Sequence, residues 1–224
     1  MKKKILFIVS SADTIGPENR KTGNFLPEVS HPYHEFSEKG YVIDFASVKG
    51  GEPPIDGLQL TDDALNVAFL NGKGLADMKK SKKIEEVNVS IYDAIFVTGG
   101  LGPMVDMPEN EVIQKAIANT YESGKVVGAV CHGPVSFLNV KLKNGSYLIN
   151  GKTIASFSNE EEFSYAKQDV PFLLETALKE RGAKFLSVAP WQANSVADGK
   201  LVTGQNPASA KGVAEKMIHL LETY

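Results

Sequence analysis

The sequence predicts an α/β fold, a doubly wound parallel sheet covered by helices on both faces. Three observations carry that expectation. Short runs rich in Val, Ile and Phe recur along the chain without polar alternation, as strands buried on both faces do. Longer segments with apolar residues at helical spacing lie between them. Ser10, Gly99-Gly100 and Cys131 all fall at the carboxyl ends of apolar runs, the edge where such sheets bind ligands.

Taken in order, Met1-Lys2-Lys3-Lys4 before residues 5–9 imitates a secretory signal. Its apolar stretch ends too early, at Ser10, Ser11 and Asp13, because a signal core needs roughly 7–15 apolar residues. A first buried strand is expected instead. Residues 41–45 read as a second strand, after the helix stop Lys39-Gly40. Residues 93–98 read as a third, residues 126–130 as a fourth, and residues 153–155 and 184–188 as a fifth and sixth. Asp198-Gly199, between Val196 and Leu201-Val202, reads as a tight hairpin turn. Helices are expected over residues 109–123, 171–181 and 207–221, the first two stopped by Gly124 and Gly182 and the last opened by Asn206 and Pro207. The charge run Lys79-Lys80-Ser81-Lys82-Lys83 reads as a solvated helix face or loop. With no repeat and no low-complexity linker, a single domain over residues 1–224 is expected.

Composition excludes several functional classes. Hydrophobic residues make up 42% of the 224, enough for a core, and the formal net charge of −3 leaves no basic footprint for nucleic acid. No stretch approaches the ~20 apolar residues of a membrane span. One cysteine supports neither an internal disulfide nor a multi-cysteine metal site, so a reducing, cytoplasmic setting is expected.

That cysteine lies in Ala129-Val130-Cys131-His132-Gly133-Pro134, after an apolar run and before an expected helix. Strand, tight turn and helix is the layout of a nucleophile elbow. A thiol at a helix N-terminus ionises more readily than a free one. A lone cysteine is often only a small buried hydrophobe, but small residues flank this one where an elbow crowds. Gly99-Gly100-Leu101 offers backbone N–H groups for an oxyanion hole; the plainer reading is a flexible turn. It lacks the Gly-Lys-Ser/Thr of a phosphate loop. Glu28 follows Pro27 and from spacing alone reads as a helix-dipole residue. If α packing brings it over the sheet edge, it reaches the thiol with a raised pKa. His31 and His34 mimic a metal pair but lack a third ligand nearby and read as packing or surface residues.

Three separated motifs in order resemble the ThiJ/PfpI superfamily: Thr22-Gly23-x-Phe25-x-x-Glu28-x-x-His31-Pro32, Ala129 to Pro134, and Asp198 to Ala210. Within it they resemble the heat-shock chaperone branch, whose members act as glutathione-independent glyoxalase III. The resemblance implies a flavodoxin-like three-layer sandwich with a mainly parallel central sheet, akin to class I glutamine amidotransferase domains. It implies conversion of methylglyoxal and water to D-lactate, with no cofactor and no metal, by a cytoplasmic homodimer. It also implies roles: Cys131 as nucleophile, His132 as its partner, Glu28 against the thiol, and Glu162 orienting the histidine. In Glu160-Glu161-Glu162 that last assignment is open by a residue or two, and an acidic first helical turn is the plainer reading. Where relatives read Gly-Gly-His-Gly, this chain has Gly99-Gly100-Leu101-Gly102, which keeps a backbone oxyanion site and loses any role of that side chain. A chaperone, a protein or nucleotide deglycase and a PfpI-type peptidase are alternatives. An amidotransferase is disfavoured, because residues 189–194 hold no histidine and His219 reads as part of the last helix.

Overall fold

The computed structural model describes residues 2–223. Seven strands form one sheet: Lys4–Val9 (β1), Val42–Ser47 (β2), Lys82–Lys83 (β3), Ala94–Val97 (β4), Val126–Val130 (β5), Ser195–Asp198 (β6) and Leu201–Gly204 (β7). Their spatial order is β6-β7-β5-β4-β1-β2-β3. Neighbours are parallel except for β6 and β7, the hairpin expected at Asp198-Gly199. Ile5 of β1 lies opposite Ile43 of β2 on one side and Ala94 of β4 on the other. The chain order therefore reverses at β1, and the crevice beyond the carboxyl ends of β1 and β4 is a topological switch point.

The helices are Leu26–Glu38 (α1), Ala64–Leu70 (α2), Lys73–Met78 (α3), Pro103–Asp106 (α4), Glu111–Glu122 (α5), Asn159–Tyr165 (α6), Leu174–Glu180 (α7) and Ala210–Thr223 (α8). Alternate strand residues feed two cores. Leu6, Ile8, Ile95, Val97, Val127 and Ala129 pack with Ile113 and Ile117 of α5 on one face. Ile5, Phe7, Val9, Phe96 and Val130 pack with Leu26, Val29 and Phe36 of α1 and Val213 and Met217 of α8 on the other. Burial on both faces is why these strands read as unbroken apolar runs. Phe7 anchors the second core, with the rings of Phe96, Phe45 and Phe36 centred 4.9, 5.3 and 5.9 Å away.

Several expectations are corrected. Residues 153–155 and 184–188 do not join the central sheet. Thr153–Ile154 pairs with Lys184–Phe185 in a separate parallel ribbon. The place beside β5 is already taken by β7, and the Asp198 carboxylate accepts from the Thr153 N–H at 2.8 Å, tethering the ribbon to the hairpin. Lys82-Lys83, expected on a solvated helix or loop, forms the edge strand β3, where lysines protect an unpaired edge. Helix α5 starts at Glu111 because Asn110 caps it, accepting from the N–H groups of Val112 and Ile113 at 3.1 Å. Pro207–Ser209 is a 3₁₀ turn that leads into α8. Among the described residues no helix is long and apolar enough to cross a membrane.

Gly133 packs the turn after β5 against the end of β4. A Cβ there would lie 2.8 Å from the carbonyl oxygens of both Val97 and Thr98, and backbone cannot swing away as a side chain does. Gly133→Ala is expected to cost about 1–3 kcal/mol and to lower the thermal midpoint by roughly 2–10 °C. Circular dichroism melting checks this, and an unchanged midpoint would contradict the packing.

Candidate active site

Strand β5 ends at Val130, and Cys131 turns out of it with φ of 61°. That left-handed conformation is uncommon for a residue with a Cβ. It breaks the strand alternation, so Cys131 lies in the same core as Val130, on the α1 side. Two hydrogen bonds pin the turn: the Cys131 N–H donates to Gly204 at 2.9 Å, and its carbonyl accepts from Phe157 at 2.9 Å. The Cys131 amide is therefore already committed. The chain continues as a 3₁₀ turn, Gly133–Phe137, with Pro134 in its first turn, rather than as the regular helix expected. The expected ease of thiol ionisation is reversed as well. Burial, then the charge and hydrogen-bonding bias of Glu28, push the Cys131 thiol well above its ordinary pKa.

Glu28 lies in the first turn of α1 and is fully buried. The helix-dipole reading from spacing is thus corrected, because the side chain points inward to the thiol. Gly99 makes the room: a Cβ there would overlap Glu28 Oε2 and lie 2.7 Å from Cys131 Cβ. The thiol and the Gly100 N–H favour a charged Glu28. Neither reaches ordinary hydrogen-bond geometry, and both carboxyl oxygens are without a partner. Burial outweighs these contacts and raises the carboxyl to about 8. Two acids in one dry space titrate as a pair that strongly resists a second negative charge.

On the other side, His132 Nδ1 lies 3.4 Å from the Cys131 sulfur, and its Nε2 lies 2.7 Å from Glu162 Oε2. A carboxylate only accepts, which assigns the proton to Nε2 and turns Nδ1 to the sulfur as an acceptor. All three groups are buried. The acidic triplet is thereby resolved: Glu162 meets His132, while Glu161 binds Ser158, Trp191, Gln205 and Asn206. The Gly100 N–H favours the charged form of the thiol, as it does that of Glu28. Leu101 buries its side chain in the opposite core, leaving only its backbone for an oxyanion. His31 pairs with Asp63, the cap of α2, at 2.8 Å. His34 lies further along α1, and His219 is exposed on α8. Among the described residues no three His, Cys, Asp or Glu side chains are placed to hold a metal.

Asn24, Tyr165 and Trp191 belong to the site's surroundings, although no sequence signal distinguishes them. Asn24 is buried at the switch point and bonds Ser10, Thr98 and Pro54. Its one trace in the sequence is a position beside Gly23, between an apolar run and a helix start.

By sequence, the DJ-1/PfpI family matches residues 26–220. The chain is 36% identical to glutathione-independent glyoxalase HSP31 of Saccharomyces cerevisiae, over 99% of this chain and 98% of that protein. Glyoxalase 3 of Candida albicans is 33% identical over 99% of each. Among solved structures, the Francisella tularensis Rapid Encystment Protein 24 KDa superposes with a TM-score of 0.93 at 40% identity, covering 98% of this chain and 99% of that one. Glyoxalase III of Candida albicans superposes with a TM-score of 0.89 at 30% identity, covering 99% and 98%. With its sheet, elbow and full-length relatives in agreement, the chain belongs to the DJ-1/PfpI family.

Proposed function

We propose that this protein is a cofactor-independent glyoxalase III that converts methylglyoxal and water to D-lactate without glutathione. The observation that carries the reading is one buried thiol flanked by two different proton acceptors, the Glu28 carboxyl and the His132 imidazole. Full-length relatives named as glyoxalases support it. Cys131 is 4% exposed, which suits a small 2-oxoaldehyde better than a peptide.

In this reading the Cys131 sulfur adds to the aldehyde carbon and its proton passes to His132 Nδ1, giving a hemithioacetal. The Gly100 N–H, with the backbone at Gly99 and Leu101, stabilises the oxyanion. Glu28 takes the proton from the former aldehyde carbon while the His132 imidazolium protonates the ketone oxygen, giving an enediol. Glu28 then returns its proton to the neighbouring carbon as the first oxyanion collapses to a carbonyl. A carboxyl raised to about 8 is basic enough for that task near neutral pH. The thioester so formed is hydrolysed to lactate, and the thiol is regenerated. Glu162 fixes the tautomer of His132 throughout. The reading includes a homodimer, on the strength of the family resemblance, and a cytoplasmic setting, on the strength of a single cysteine.

Cys131→Ser and Glu28→Gln are each expected to abolish lactate formation, measured with methylglyoxal, no glutathione and chiral lactate detection, while far-UV circular dichroism stays native. Substantial turnover by Cys131→Ser would sink the mechanism.

Glu28 also links stability to pH. Its folded pKa is raised from 4.5 to about 8, so the folded state holds a proton that the unfolded chain has lost. Stability from this group is full below pH 4.5 and falls as pH rises to about 8, by up to about 5 kcal/mol. Glu28→Gln is therefore expected to melt several degrees above wild type at pH 8, with the gap closing toward pH 4.5. A gap independent of pH would refute the raised pKa.

A further inference from the structure

We propose that Trp191 and Tyr165 form the wall against which the non-reacting end of the aldehyde packs, so that the site favours an aryl group there over a methyl group. This rests on the glyoxalase reading for its substrate class. Phe157, Tyr165 and Trp191 form a closed triangle of edge-on rings, with centroids 5.7, 5.5 and 6.0 Å apart. The inner ring, Phe157, is buried and lies 4.4 Å from the imidazole of His132. Tyr165 is half-buried, and its phenol is raised by burial and by the charge of Cys131. Trp191 is 47% exposed. The triangle thus runs from the reacting histidine out to solvent.

One exposed apolar ring is by itself ordinary on a protein surface. Trp191 is more than exposed: its backbone is held in the left-handed region, with φ of 65°. Such conformations persist where the surroundings impose them, and they cluster at binding sites. The imposing group is Glu161. Its buried Oε1 accepts from the Trp191 N–H at 2.8 Å and from Asn206 Nδ2 at 2.8 Å. Its Oε2 accepts from the Ser158 N–H at 2.9 Å, Ser158 Oγ at 2.7 Å and Gln205 Nε2 at 3.2 Å. A loop without regular structure therefore presents its indole on a fixed mount. Rigid indole and phenol faces give a flat aryl group large contact area at little entropic cost.

The chain has one tryptophan and one cysteine, so both ends of the proposed contact can be probed without background. Phenacyl bromide and bromoacetone each alkylate a thiol with loss of bromide and a proton, and they differ only in the aryl or methyl group. Wild type is expected to react faster with phenacyl bromide than the intrinsic reactivity ratio predicts. Trp191→Ala should lower the phenacyl-to-acetonyl rate ratio by about tenfold, with Trp191→Phe restoring most of it. The same shift is expected in kcat/KM for phenylglyoxal against methylglyoxal. An unchanged ratio, or one raised in Trp191→Ala, overturns the wall. Should Trp191→Ala fail to fold, wild type carrying each adduct decides: strong quenching of Trp191 fluorescence by the phenacyl adduct alone supports the contact, and equal emission refutes it. Failure of wild type to turn over either aldehyde would overturn the glyoxalase reading, while the alkylation ratio still judges the wall.

Discussion

The placement of the Glu28 carboxyl against the Cys131 thiol requires three stretches of chain to meet without a side chain between them. Helix α1 delivers the carboxyl from its first turn, β5 delivers the thiol through a left-handed elbow, and the loop after β4 passes between them as Gly99-Gly100. The contact is fastened from the backbone. The Phe25 N–H donates to Gly99 and the Gly102 N–H donates to Gly23, at 3.3 and 3.2 Å, so the entry to α1 is laced to the glycine loop. Gly100 has φ of 93°, and a Cβ on it would lie 2.7 Å from the Phe25 amide nitrogen. Beneath the loop, Asn24 ties the end of β1 to Thr98 after β4, holding the switch point at a fixed width.

An unpaired buried carboxyl costs stability, and a fold under selection for stability alone would replace it. Its retention makes chemical sense because the cost is carried by one protonation state. A neutral Glu28 fits the dry site; an ionised one gains from whatever proton it can recover. The thiol is raised by the same burial and by Glu28 itself, so the pair resists carrying two negative charges at once. A carboxyl raised to about 8 is a stronger base than an ordinary one, which is what the proposed enediol step asks of Glu28. The His132 and Glu162 pair supplies the opposite property, a fixed tautomer and a fixed direction.

Much of this was legible in the sequence, for identifiable reasons. The central strands were visible because burial on both faces leaves no polar alternation, and the elbow because small residues must flank a turn beside a nucleophile. Residues 153–155 and 184–188 misled because β propensity reports apolar, branched composition and not which edge of a sheet is free. Lys82-Lys83 misled in the reverse sense, since a charged edge strand carries no hydrophobic signature. The inward direction of Glu28 could not be read from spacing: a first-turn carboxylate can cap, face solvent or enter the core, and only the hole at Gly99 decides. The raised thiol pKa was equally hidden, because it depends on burial and on a carboxyl more than a hundred residues away in sequence.

The acidic triplet shows what three-dimensional geometry adds to an ambiguous motif. Successive residues of a helix point about 100° apart, so at the start of α6 the neighbours Glu161 and Glu162 can both be buried and yet address different structures. Glu162 turns to His132 and sets its direction. Glu161 turns to the backbone of Trp191 and the side chains of Gln205 and Asn206. The capping box in which Ser158 and Glu161 satisfy each other fixes the rotation of the whole turn. One local element therefore sets two directions at once, the orientation of the imidazole beside the thiol and the position of Trp191. A shift of α6 could not alter one without disturbing the other, which couples the imidazole of His132 to the aromatic triangle through a single helical turn.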